Sequence, residues 1–141
     1  MIEHHIDIET NDGTMATFIS NPDADGPYPV VLFLMDAPGK REELHDMARR
    51  ISATGYYVML PNLYYREVRS FTLHREDPAS AEYMFKLMSN LRNDMVARDA
   101  TSMIAYAEAD VVADASRIGV TGYCMSGPFG EGGGGEGGGG M

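Results

Sequence analysis

Polar and apolar residues alternate through "EHHIDIET" at residues 3–10, which predicts a strand with one face buried. The turn-forming "NDG" follows, and "TMATFIS" predicts the return strand of a hairpin. "NPDADGPYP" supplies a loop. "VVLFLM" at 30–35 is a continuous apolar run of strand length, the pattern of a strand covered on both faces. In "REELHDMARRISATG", Leu44, Met47, Ala48 and Ile51 recur at i, i+3, i+4 and i+7, one apolar face of a helix that Gly55 is placed to stop. "YYVMLP" predicts a second buried strand, so a strand–helix–strand crossover spans 30–61. A charged loop occupies 62–78, and helices are expected over 79–90 and 92–108. Val96, Ala100, Met103, Ile104 and Ala107 form the inner face of the second. "RIGVTG" predicts a third buried strand, leading to Cys124. Strands alternating with helices specify an α/β domain, and ligands in such sheets bind beyond the carboxyl ends of the strands.

The pattern breaks near residue 128. Nine of the 16 glycines fall in 130–140, where only Gly and Glu occur. Such a segment has almost nothing apolar to bury against a large ordering entropy, so it reads as a disordered tail. Two organisational units follow: residues 1–129 as a partial α/β domain and 130–141 as the glycine-rich tail. Either an engineered linker or a shifted reading frame through GC-rich alanine codons accounts for that composition, and the frameshift or premature end is preferred.

Charge narrows the function classes. Eleven Lys and Arg against 21 Asp and Glu give a formal charge of −10. No basic footprint for nucleic acid is visible, and an anionic membrane surface is disfavoured. The start lacks a basic segment followed by an apolar run, and no apolar stretch is long enough to span a bilayer, so a cytoplasmic location is expected. The single cysteine excludes an internal disulfide.

The chemistry concentrates in Gly122-Tyr123-Cys124-Met125-Ser126-Gly127. A nucleophile presented on a tight strand-to-helix turn needs small residues two before and two after it, and Gly122 and Ser126 meet that need. Cys124 is then the candidate nucleophile, activated by helix-start N–H groups and a basic partner. The Met125 backbone N–H supplies half of an oxyanion hole, and the loop near Asp36 and Ala37 supplies the other half. Against this stands the usual fate of a lone cysteine, burial as a small apolar side chain. His4, His5, His45 and His74 read as ordinary surface residues. No ligand spacing supports a metal site, and no cofactor is implied.

"VVLFLMDAPG", "GYYVMLPNLYYR", "FKLM" and above all "RIGVTGYCMSG" resemble the dienelactone hydrolase family of α/β hydrolases over about residues 1–129, with Pro61, Leu63, Tyr64 and Arg66 as a second anchor. The resemblance implies an α/β-hydrolase fold truncated after the nucleophile turn, an ester or lactone as small-molecule substrate, and a cysteine nucleophile at Cys124. It places Asp36 where the family often has Glu, as a modulator of the thiol. The Arg that grips a substrate carboxylate in founding members is replaced by Ala79 and Ser80, with Arg75 out of register, so a broader ester or lactone preference is expected. The family's later triad Asp and His have no counterpart: after Cys124 the only carboxylates are Glu131 and Glu136. This chain alone is therefore expected to be inactive or nearly so. The alternatives are a non-catalytic fragment or interaction module, self-associating through an exposed sheet edge, and a redox-responsive thiol protein.

Overall fold

A computed structural model describes residues 1–23 and 26–122. The turn at Cys124 and Met125 and the 130–141 segment lie outside the described residues. The chain runs β1 (Ile2–Thr10), β2 (Gly13–Asn21), β3 (Tyr28–Leu34), α1 (Glu42–Ser52), β4 (Tyr57–Pro61), α2 (Pro78–Asn90), α3 (Asn93–Glu108) and β5 (Ala113–Gly122). One five-stranded sheet has the order β1-β2-β4-β3-β5. β1, β2 and β4 pair antiparallel, while β3 pairs parallel with both β4 and β5. The predicted hairpin and crossover are thus both present.

β3 is the centre of the core. Val30, Leu32, Phe33 and Leu34 are buried, as is every residue of β4. Continuous apolar runs produce this outcome because a parallel sheet is covered on both faces. α1 buries Leu44, His45, Ala48 and Ser52, while Met47 and Ile51 from the expected face are only half-buried. Gly55 has φ +109°, and its N–H donates to Ser52 O at 2.9 Å, which turns the chain out of the helix toward β4.

Two expectations need correction. His45, read as a surface residue, is 8% exposed. Its ring stacks on Phe18 with centroids 4.5 Å apart and meets His5 edge-on at 5.3 Å. A polar side chain on the flank of the helix is drawn inward because the aromatic surface of β2 is there to receive it. "RIGVTG", read as a buried strand and, in the fragment alternative, as an unpaired apolar edge, is exposed from Ser116 to Val120, with Ile118 39% and Val120 36% exposed, as the second of these readings expects. β5 is an edge strand, as β1 is at the other side, and nothing among the described residues pairs beyond it. Apolar content alone cannot say whether a strand's neighbours are present.

Charged residues tie the layers together. Asp99 of α3 is 1% exposed. Its carboxylate accepts from both terminal nitrogens of Arg66 at 2.9 and 3.0 Å and from Tyr65 Oη at 2.7 Å. Arg66 also donates to Asp12 at the β1–β2 turn, at 2.8 Å. Removing one partner of a buried pair strands the other, so Asp99→Ala is expected to cost about 3–5 kcal/mol in urea unfolding. Asp99→Asn keeps the shape and one acceptor and should cost less.

The stacked histidine gives a pH prediction. Burial holds the His45 imidazole below its ordinary value of 6.5, with Lys40 and His5 acting in the same direction and Glu42 opposing. A depressed folded pKa means that the unfolded chain takes the proton first. Stability is therefore full above the unfolded pKa and falls as pH drops through and below it. Urea midpoints should decline between about pH 7.5 and about pH 5.5, and His45→Phe should flatten that decline. An equal slope in the variant would assign the effect to other groups.

Candidate functional site

The carboxyl ends of β3, β4 and β5 lie at one end of the sheet because the three strands are parallel. The register between β3 and β5 pairs Phe33 with Thr121 and Leu34 with Gly122. Asp36 follows Leu34 by two residues, and Cys124 follows Gly122 by two. The two candidate groups are thus carried by neighbouring strands that end in register. Cys124 and Met125 themselves lie outside the described residues.

The loop after β3 is fixed by three anchors. Pro38-Gly39 reverses the chain: Gly39 has φ +92°, and its N–H donates to Asp36 O at 2.9 Å. A side chain at that φ would be strained, so the turn requires glycine. Tyr64 Oη donates to Ala37 O at 2.7 Å across from the loop after β4. Burial and the Asp36 carboxylate both push the Tyr64 phenol above its ordinary pKa, so it stays a donor. Arg41 then folds back, with Nη1 2.6 Å and Nη2 3.1 Å from the two Asp36 oxygens and Nη1 2.8 Å from Gly39 O. A bidentate guanidinium–carboxylate pair of this kind fixes orientation as well as charge. Asp36 retains 16% side-chain exposure and Arg41 29%.

Asp36 is therefore held at the end of β3, but as one half of an ion pair rather than as a free carboxylate. Sequence inspection missed Arg41. The signal for it is the Pro-Gly turn, which returns the chain so that residue 41 faces residue 36. The Ala37 N–H donates to no described residue, while its carbonyl is occupied by Tyr64. Tyr64 and Arg66, which belong to the second anchor of the resemblance, have structural roles: one holds the β3 loop and the other holds α3.

The remaining histidines do not converge on this end. His45 is packed on Phe18, His4 and His5 lie on β1, and His74 is exposed in the loop before α2. Among the described residues no group of three or more His, Cys, Asp or Glu is arranged to hold a metal. No described helix is long and apolar enough to cross a membrane.

Comparison with known proteins places this arrangement. A carboxymethylenebutenolidase of Pseudomonas putida is 25% identical over 128 residues, which is 90% of this chain and 53% of that protein. A protein of Methylorubrum extorquens that carries the same name provisionally is 28% identical over 127 residues, 90% of this chain and 42% of that one. The chain thus spans about half the length of the curated relatives it matches. A crystal structure from Klebsiella pneumoniae, provisionally titled a dienelactone hydrolase, superposes with a TM-score of 0.73 at 28% identity, covering 87% of this chain and 50% of that one. A cold-adapted esterase from an Arctic intertidal metagenomic library shares the fold with a TM-score of 0.64 at 17% identity, over 91% of this chain and 53% of that one. The model of the dienelactone hydrolase family matches residues 15–130. This chain belongs to the dienelactone hydrolase family and carries part of its α/β-hydrolase fold.

Proposed function

We propose that the chain provides the nucleophile-bearing half of a hydrolase that opens an ester or lactone by acyl transfer to Cys124. The observation that carries this reading is the parallel β3–β5 register, which ends both strands together two residues short of Asp36 and Cys124. In the proposed reaction the Cys124 thiolate adds to the substrate carbonyl carbon. The resulting oxyanion is received by the backbone N–H groups of Met125 and Ala37. Collapse of the tetrahedral intermediate breaks the C–O bond and releases the alcohol, which takes up a proton. Water then attacks the acyl thioester, giving the carboxylic acid and restoring the thiol.

An Ala37 N–H that donates to no described residue and a fixed β3 loop support the oxyanion role. The sequence after Cys124 contains no Asp or His, so the general base for the thiol and for water is not supplied from that part of the chain. Losing triad members costs several orders of magnitude in turnover. With p-nitrophenyl acetate the chain should acylate slowly at Cys124 and deacylate more slowly still. Mass spectrometry should find one acetyl group on Cys124, and Cys124→Ala should remove it. Rapid turnover that survives Cys124→Ala would sink the assignment.

Asp36 is proposed to set the thiol's protonation, with Arg41 offsetting its charge. Opposite substitutions should act with opposite signs. Asp36→Asn leaves a guanidinium near the thiol and should lower its apparent pKa, whereas Arg41→Gln leaves a carboxylate and should raise it, each by about one unit. The pH dependence of iodoacetamide alkylation measures both. Two unchanged profiles would remove Asp36 from the site.

Exposure along β5 favours a second reading, in which the chain pairs with another copy of itself. Ile118 and Val120 lie on one face of the outermost strand, and an unpaired apolar edge is a template for strand addition. Light scattering should then show mass rising with concentration, and Val120→Lys should suppress the rise. A monomer at all concentrations would dismiss this reading.

A further inference from the structure

A cleft of about 380 Å³ lies between the β1–β2 hairpin and the loop after β4, with Lys40 among its lining residues. Its walls combine Lys40, Arg69, His5 and Asp7 with the apolar surface of Ile6 and Phe71. Lys40 forms no hydrogen bond or ion pair with any described residue. The carboxylate that acts on it, Glu42, is already engaged by Arg49 at 2.7 Å and His45 at 3.0 Å. Burial and the neighbouring Arg69 guanidinium both press the Lys40 ammonium below its ordinary pKa. Two cations thus share one cleft with a single carboxylate, in a chain whose acidic residues outnumber basic ones 21 to 11.

The cleft is built rather than incidental. Buried Asn62 donates through Nδ2 to Val68 O at 3.0 Å and Arg69 O at 2.9 Å, and its Oδ1 accepts from the Tyr64 N–H at 3.1 Å. Its own N–H is held by Ala16 O at 2.8 Å. The backbone of Arg69 is therefore pinned to β2, which forms the opposite wall. Among the described residues the Arg69 side chain is tied only to Asp7, at 2.8 Å, in a pair with 63% and 45% side-chain exposure. An exposed pair of this type contributes little and exchanges readily for a competing anion.

We propose that this cleft binds a small organic carboxylate, with its carboxylate between Lys40 and Arg69 and its apolar body against Phe71 and Ile6. The proposal goes beyond the acyl-transfer reading and does not depend on it, because it concerns binding at a different set of residues. The anion supplies the charge that Lys40 lacks, and the aromatic wall distinguishes an organic acid from an inorganic ion. Asp7 is the internal competitor: it holds Arg69 when the cleft is free and repels an incoming anion.

Titration of the full chain with benzoate, followed through backbone amide shifts at Thr17, Asn62, Arg69 and Ser70, tests the site without any catalytic step. Saturable binding is expected, weaker for inorganic phosphate and absent for benzyl alcohol. Lys40→Gln should weaken benzoate binding about tenfold, as expected for loss of a charge-assisted contact, and Lys40→Arg should largely keep it. Asp7→Asn should strengthen binding several-fold, a direction that general destabilisation does not produce. Absence of saturable benzoate binding would overturn the proposal. So would equal binding of benzyl alcohol, tighter binding of phosphate, or Lys40→Gln and Asp7→Asn shifting affinity in the same direction.

Discussion

Parallel pairing of β3 on both of its edges is the constraint from which the rest of the structure follows. β3 is paired on both edges and buries Val30, Leu32, Phe33 and Leu34, so these positions are apolar. Parallel neighbours also require crossovers, which place α1 between β3 and β4 and bring α2 and α3 between β4 and β5. Because the three strands run the same way, their carboxyl ends lie at one end of the sheet, where the described loop after β3 carries Asp36 and Ala37.

What keeps that end in shape is polar rather than apolar. Tyr64 reaches from the loop after β4 to the loop after β3, and Asn62 ties the same segment to β2. Arg66 and Asp99 fasten it to α3 below. Residues 62–66 therefore act as a keystone between three elements. Each buried donor meets an acceptor, which is what allows so polar a loop to sit against the core without the cost of unpaired groups. His45 Nε2 departs from this, being buried with no partner among the described residues. The stacked contact with Phe18 and the hydrogen bond that Nδ1 donates to the Glu42 carboxylate hold the ring in place regardless.

Charge is distributed unevenly over this frame. The molecule is strongly acidic, yet arginines bridge its elements: Arg49 joins α1 to β1 through Glu3, and Arg66 joins the keystone loop to α3 and the hairpin turn. Lys40, like Arg50, Arg75 and Lys86, is paired with no carboxylate among the described residues, and it differs from them in lining a cleft beside Arg69. The Arg41–Asp36 pair shows the opposite case, a carboxylate at the candidate site whose charge is already answered.

Periodicity and turn chemistry together made the hairpin, the crossover and the positions of α1, α2 and α3 legible in the sequence, because buried faces repeat with the period of the element that carries them and Gly-rich turns punctuate those elements. The family was legible as a resemblance carried by "RIGVTGYCMSG" and "PNLYYR", and the family model over residues 15–130 shows it. Tertiary structure decided what periodicity cannot encode. It made β5 an exposed outer strand, although its apolar content matches a buried one, because burial depends on neighbours and not on the strand itself. It buried His45 and Asp99, which look like surface residues, because an aromatic ring and a guanidinium distant in sequence were waiting for them. It paired Asp36 with Arg41 through a turn that only Gly39 permits. Each of these outcomes is a relation between segments, and only the folded chain brings those segments together.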